Sequence, residues 1–71
     1  MKSFAEQLRD VRRNARLTQQ QLAECIGVDR SIYAMYESGK LVPPPRLLEK
    51  ICRRCAVTAD VQRSLTAAAE E

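Results

Sequence analysis

Apolar residues recur every three or four positions along most of the chain, which is the spacing of one face of a helix. No segment alternates apolar and polar residues for long enough to predict a strand. Turn-forming residues interrupt the pattern and divide it into five helices, at about residues 3–15, 18–26, 29–38, 44–55 and 58–68. Five short helices in 71 residues predict an all-α fold, a compact orthogonal bundle with short turns.

Capping residues mark the ends of these helices. Ser3 and Thr18 each stand three positions before a Glu or Gln, which is the spacing of a capping box. We expect Gly27 to end the second helix in the left-handed conformation, and Asp29 to cap the third helix, which Gly39 closes. The fourth helix begins at Pro44 or Pro45, and the fifth follows Thr58.

Four of the helices each contribute an apolar face to a predicted core. The inward residues are, in chain order, Phe4, Leu8, Val11, Ala15, Leu22, Ala23, Ile26, Leu47, Leu48, Ile51, Cys52, Cys55, Val61 and Leu65. The last five residues, AAAEE, are expected to fray because chain ends are ordered only where other parts of the fold hold them.

The second and third predicted helices are separated by a very short turn that contains Gly27. Glycine lets the backbone reverse without a Cβ clash, and such a pair is typical of a helix-turn-helix, whose second helix enters the major groove of DNA. Tyr33 and Tyr36, with Val28, are expected to anchor the third helix on its inner side. The opposite, outward stripe consists of Arg30, Ser31, Ala34, Met35 and Ser38.

Composition and charge narrow the possible functions. One domain of this size has little room for an enclosed catalytic cleft, and the chain has no histidine and no phosphate-binding glycine motif, so we do not expect an enzyme. A net charge of +3 and a pI of about 9.0 favour a polyanionic partner without proving one. No apolar stretch approaches the ~20 residues that span a bilayer. The N-terminal segment lacks the apolar core of a signal peptide, so we expect a cytoplasmic protein with no membrane partner.

The sequence C-R-R-C at residues 52–55 has two other interpretations, a zinc site and a redox pair. A structural zinc site needs four ligands, whereas the chain has three cysteines and no histidine. A redox C-x-x-C pair sits at the start of a helix, whereas Cys52 and Cys55 fall in the middle and at the end of the fourth helix. We therefore expect both to pack in the core as small hydrophobes, with no metal and no cofactor.

The stretch TQQQLAECIGVDRSIYAMYESGK resembles the helix-turn-helix core of the Xre/Cro-like family, which includes the lambdoid phage repressors. The matching residues are Leu17, Thr18, Gln19, Leu22, Ala23, Ile26, Gly27, Val28, Tyr33, Tyr36, Glu37, Gly39 and Lys40. The similarity continues through Pro43 and residues 47–51 to Val57 and Thr58, and so covers residues 4 to about 65. Two residues depart from the family pattern. Pro44 stands where the family often has a serine helix cap, and Ala56 stands where it usually has a C-capping glycine.

The resemblance implies contacts to the DNA backbone. Gln19 would bind a phosphate at the start of the second helix, where helix N-termini favour anions. Ser38 and Lys40 resemble the phosphate clamp that follows the third helix in this family. Arg16 and Arg46 are weaker candidates for phosphate binding, with solvated charges as the alternative. For Gln19 the alternative is an exposed helix-forming residue with no contact.

Arg30 is the best candidate for reading a base, because a guanidinium can bridge O6 and N7 of guanine. Ser31, Ala34 and Met35 complete the predicted base-reading set; Ala34 and Met35 offer only apolar contacts, for example to a thymine methyl group. The alternative for Arg30 is a phosphate contact or a surface charge.

The resemblance also implies a structural ion pair between Arg12 and Glu37, because the corresponding positions form a partly buried pair in the lambdoid repressors. The implied function is sequence-specific binding of double-stranded DNA by a transcriptional regulator, a repressor that binds an inverted-repeat operator as a homodimer. The chain would be either a whole small regulator or the N-terminal domain of a longer one. The alternative function is a protein-interaction module that holds a toxin, a sigma factor or RNA polymerase and does not read DNA.

Overall fold

The computed structural model describes residues 2–70 of the chain. Its helices are Phe4–Asn14 (α1), Gln19–Ile26 (α2), Arg30–Ser38 (α3), Pro45–Arg54 (α4) and Ala59–Ala69 (α5). No strand occurs within those residues, so the predicted all-α class is confirmed. Each helix end lies within one residue of its predicted position, and the starts differ because the capping residues lie just outside the helices.

Local signals explain how α1 and α2 start and how α2 and α3 end. Ser3 and Thr18 both form complete capping boxes, each side chain accepting the N–H three residues on. Gly27 and Gly39 end α2 and α3 in the left-handed conformation, at φ values of 80° and 83°. An L side chain rarely adopts this conformation, which is why glycine suits both positions.

The predicted cap at Asp29 is only partly right. Asp29 occupies the N-cap position of α3, but its side chain makes no capping hydrogen bond. Its backbone carbonyl accepts the N–H of Tyr33 at 3.0 Å, so the backbone alone closes the first turn. A carboxylate at this end of a helix still interacts favourably with the helix dipole.

The core lies where all five helices meet. α1 packs on α3 and α5, α2 packs on α3 and α4, and α4 packs on α5. The buried apolar residues are Phe4, Leu8, Val11, Leu22, Ala23, Ile26, Tyr33, Tyr36, Leu48, Ile51, Cys52 and Leu65. Ala15, Leu47 and Cys55, which were predicted to point inward, are only half-buried. Leu47 and Cys55 pack against the core.

The predictions made for the two ends of α5 are both wrong in part. Val61 was predicted to be buried but is 38% exposed, since it lines a surface groove between α1 and α5 beside Val11. The expected fraying of the terminal AAAEE segment is wrong for residues 67–69, which are helical. Ala68 and Ala69 pack against the core, which explains their order. Glu71 lies outside the described residues.

None of the helices between Lys2 and Glu70 combines the length and the apolar character that crossing a membrane requires.

Ala56 follows α4 in the left-handed conformation, with φ at 52°. This is the position where the family resemblance leads one to expect glycine. The Cβ of alanine is disfavoured there by about 1–2 kcal/mol, whereas glycine adopts the conformation freely.

We therefore predict that Ala56→Gly stabilises the fold by about 0.5–1 kcal/mol, since relief of the backbone strain exceeds the extra entropy of the unfolded glycine. Thermal unfolding followed by circular dichroism should show a melting temperature several degrees higher. Ala67→Gly, at an exposed position in α5, is the matched control and should destabilise by about 0.5–1 kcal/mol. A loss of stability in Ala56→Gly would contradict this prediction.

Candidate nucleic-acid interface

The turn between α2 and α3 holds α3 so that one side of it is buried and the other is open. Tyr33 and Tyr36 are buried on the inner side, and their rings meet edge to face with centroids 6.1 Å apart. This T-shaped arrangement is a favoured geometry for aromatic pairs. Val28, in the turn, is half-buried against the same core. The tyrosines thus fix α3 from inside.

The outward side of α3 carries the residues predicted to read DNA. Arg30, Ser31 and Met35 are exposed, and Ala34 is half-buried beside them. Arg30 is the first residue of the helix, and its side chain has no ion pair within residues 2–70. The side of α3 opposite the tyrosines therefore forms a mixed polar and apolar strip with one free cation.

Arg12 and Glu37 form a two-pronged ion pair that links α1 to the last turn of α3. The Nε of Arg12 donates to one Glu37 oxygen at 2.6 Å, and Nη2 donates to the other at 3.2 Å. The two side chains are only 12% and 5% exposed, respectively. Such fork-to-fork contacts fix geometry as well as charge.

Two further hydrogen bonds extend the pair to α2. Arg12 Nη1 donates to the carbonyl of Leu17 at 2.7 Å, just before α2 begins. The side-chain amide of Gln19, the first residue of α2, donates to Oε1 of Glu37 at 3.2 Å. One carboxylate thereby contacts side chains from α1 and α2 while it is itself part of α3.

These contacts set the charge state of Glu37. Burial opposes its ionisation, but hydrogen bonds from Arg12 and other neighbours outweigh burial, so the pKa of Glu37 lies below its ordinary value of 4.5. The hydrogen bond to Glu37 correspondingly raises the pKa of Arg12. Burial raises the pKa of Tyr33, whose hydroxyl lies beside the pair but has no partner in hydrogen-bond geometry within residues 2–70.

Comparison with known proteins agrees with this geometry. Residues 3–65 match the family described as the helix-turn-helix domain. The chain belongs to this family. It is also 36% identical over 63 residues to a Bacillus subtilis (strain 168) protein named uncharacterized HTH-type transcriptional regulator YobD. The match covers 89% of the chain and 56% of that protein, so the chain spans a little over half the length of this relative. No solved structure matches the chain significantly.

The residues predicted to bind phosphates lie in or beside the turns that flank α2 and α3. Lys40 follows the C-cap of α3 and is exposed, and the hydroxyl of Ser38 donates to the carbonyl of Met35 at 3.1 Å. Arg16 is exposed in the turn before α2, in the left-handed conformation with φ at 60°. Gln19 is half-buried by its bond to Glu37, which leaves one amide N–H for a second acceptor.

The bond between Gln19 and Glu37 could not be predicted from the sequence. The two residues are 18 positions apart on different helices, and both residue types are common on helix surfaces. The capping pattern shows that Gln19 starts α2 but says nothing of its side-chain partner. The hydrogen bond from Arg12 to the Leu17 carbonyl could not be predicted either, because every residue has a backbone carbonyl and the sequence does not show which one accepts.

The cysteines lie in three different environments. Cys52 is buried, Cys55 is half-buried and Cys25 is exposed. Burial raises the pKa of both Cys52 and Cys55, which keeps these thiols protonated and weakly reactive. No cluster of three or more metal-ligating side chains occurs within residues 2–70. The packing of Cys52 and Cys55 follows the prediction that they act as small hydrophobes.

We predict that Arg12 and Glu37 are energetically coupled. Glu37→Gln and Arg12→Met should each cost about 3–5 kcal/mol, because each leaves a buried charge without its partner. The double variant should recover part of that loss. Denaturant unfolding of the four proteins gives the coupling energy, and strictly additive losses would show that the two residues do not interact.

Tyr33→Phe is the control for this cycle, since it removes only a buried hydroxyl that lacks a hydrogen bond. Its stability should be unchanged or slightly higher. If Tyr33→Phe lost as much stability as Glu37→Gln, the loss in Glu37→Gln could not be assigned to the ion pair.

Proposed function

We propose that this domain binds double-stranded DNA sequence-specifically and regulates transcription, with α3 in the major groove. The observation that carries the proposal is the division of α3 into a buried tyrosine face and an open strip that begins with Arg30. This division suits a recognition helix, which must be held firmly and still present side chains to base edges. The printed name of the Bacillus subtilis relative supports the same class of function.

Different residues would supply the affinity and the specificity. Arg30, at the N-terminal end of α3, is proposed to read guanine, with Ser31, Ala34 and Met35 contacting neighbouring bases. Gln19, Ser38, Lys40 and Arg16 are proposed to bind phosphates, which position the domain but carry no sequence information directly.

We further propose that the regulator acts as a repressor and binds as a homodimer to an inverted repeat. The domain measures 26 × 24 × 20 Å, so a single copy can cover only one half-site. Two copies related by a two-fold axis would place their α3 helices in successive major grooves, one helical turn of about 34 Å apart. Selection of bound sequences from a random duplex pool, followed by footprinting, reports the site, its symmetry and its spacing.

We predict that substitutions at Arg30 and Gln19 impair DNA binding in different ways. On the selected site, Arg30→Ala should cost about 1–3 kcal/mol and flatten the preference at one base pair per half-site. Gln19→Ala should weaken all sequences by a similar factor and leave the salt dependence nearly unchanged, because a neutral amide releases no counterion. Lys40→Ala should reduce the salt slope by about one per subunit.

The measurement is a binding profile over all single-base variants of the site, taken at two salt concentrations. Melting curves for each variant separate a folding defect from a binding defect, which matters for Gln19 because it also bonds Glu37. If Arg30→Ala loses affinity uniformly and keeps every base preference, Arg30 contacts phosphate instead, and base reading falls to Ser31 and Met35.

A further inference from the structure

The positive charge of this chain is concentrated on α4. This helix contains four basic residues and one acidic residue, which gives it a formal charge of +3, equal to the net charge of the whole chain. Four of the twelve basic residues and one of the nine acidic residues are thus in α4, and the rest of the chain has eight of each sign. The strip on α3, by contrast, offers a single cation, Arg30.

The four basic residues lie on one face of α4. Arg46, Lys50, Arg53 and Arg54 are all exposed, and we refer to them as the basic ridge. Their spacing of four, three and one places them opposite the buried face of the helix. From the first to the last, the ridge is about 12 Å long.

Most of the basic ridge is unpaired. Arg53 contacts Glu49 at 2.6 Å, but both side chains are more than half exposed, and such a pair contributes little to stability. Arg46, Lys50 and Arg54 form no ion pair with any residue between 2 and 70. The cations of the ridge are therefore available to an external anion.

Helix stability does not account for the ridge. Arg53 and Arg54, in the last turn, complement the negative end of the helix dipole. Arg46 lies in the first turn, where a cation faces the positive end and the dipole disfavours it. No acidic residue offsets it in that turn.

The chemistry of the ridge favours a phosphate backbone over a protein surface. Protein interfaces centre on apolar and aromatic anchors and are depleted of charged residues at their core. The exposed residues of α4 are the four cations, Glu49 and, at its first position, Pro45, with no aromatic residue among them. Interfaces with nucleic acids are much more positively charged than protein–protein interfaces, and a row of basic residues along one helix is typical of them.

We propose that the basic ridge of α4 is a second DNA-backbone contact, separate from the helix-turn-helix, that binds phosphates flanking the site read by α3. The proposal rests on the proposed function. Because the ridge meets phosphates and not base edges, it strengthens binding to every sequence equally. It also makes association faster and more salt-dependent than the α3 strip alone would.

The test uses a random-sequence duplex of about 30 base pairs, since no specific site is needed. Fluorescence anisotropy at several salt concentrations gives the slope of log affinity against log salt. Lys50→Gln combined with Arg54→Gln should flatten this slope by nearly two units, or about 0.9 for each lost phosphate contact. Glu49→Gln frees Arg53 and should steepen it.

Arg63→Gln is the matched control. Arg63 is an exposed arginine on α5 that pairs with Asp60, and its loss changes the net charge by the same amount as the loss of Lys50. Its slope should stay close to that of the wild type. Circular dichroism melts should be alike for all variants, because every substituted side chain is exposed.

The outcomes separate the two proposals. If the wild type does not bind the duplex, DNA binding itself is wrong, and the ridge proposal falls with it. If the wild type binds and the Lys50/Arg54 variant keeps its slope, only the ridge proposal is overturned, and an acidic protein becomes the better partner for that face. If Arg63→Gln flattens the slope by half as much as the Lys50/Arg54 double variant, which removes twice the charge, the ridge proposal is also overturned, since bulk charge would then explain the effect.

Discussion

The carboxylate of Glu37 is the point at which three helices of this domain meet. It belongs to the last turn of α3, accepts two hydrogen bonds from Arg12 of α1 and a third from Gln19 at the start of α2. Arg12 also holds the carbonyl that precedes α2. Helix ends are otherwise free to shift by small amounts, so a network of this kind fixes how α2 and α3 are placed relative to each other. That relative placement is what a helix-turn-helix presents to DNA.

The proposed roles of positioning α3, reading bases and attracting DNA belong to different parts of the surface. The buried tyrosines hold α3 on the side opposite the open strip, and the ion pair ties the last turn of α3 to α1. Arg30 and its neighbours occupy that strip, and Arg30 forms no ion pair within residues 2–70. The excess positive charge lies on α4, which packs on α2 and α5. The proposals therefore predict that substitutions in these three regions alter stability, specificity and salt dependence separately, with Gln19, which also bonds Glu37, as the exception.

Much of the fold could be predicted from the sequence, because its signals are local. Both capping boxes, the left-handed glycines and the periodic apolar faces each depend on residues a few positions apart. The failures are contacts that depend on packing between distant segments. Val61 has the right spacing for a core residue but faces a groove, and the Gln19–Glu37 bond joins residues without any shared pattern. The Arg12–Glu37 pair was accessible only through family resemblance. The DNA-contacting roles are not decided by the fold and stay predictions.

The measurement that tests the role of Glu37 most directly is the stability of the wild type and Glu37→Gln as a function of pH. The folded-state pKa of Glu37 lies below its ordinary value of 4.5, so the unfolded chain binds the proton more readily. The stability that ionised Glu37 provides is full above that value and is lost as the pH falls through the folded-state pKa. The difference in unfolding free energy between the two proteins should therefore be largest near neutral pH and shrink in acid. A difference that stays constant from pH 7 to well below 4 would contradict the account, because the carboxylate charge would then not be what holds the three helices together.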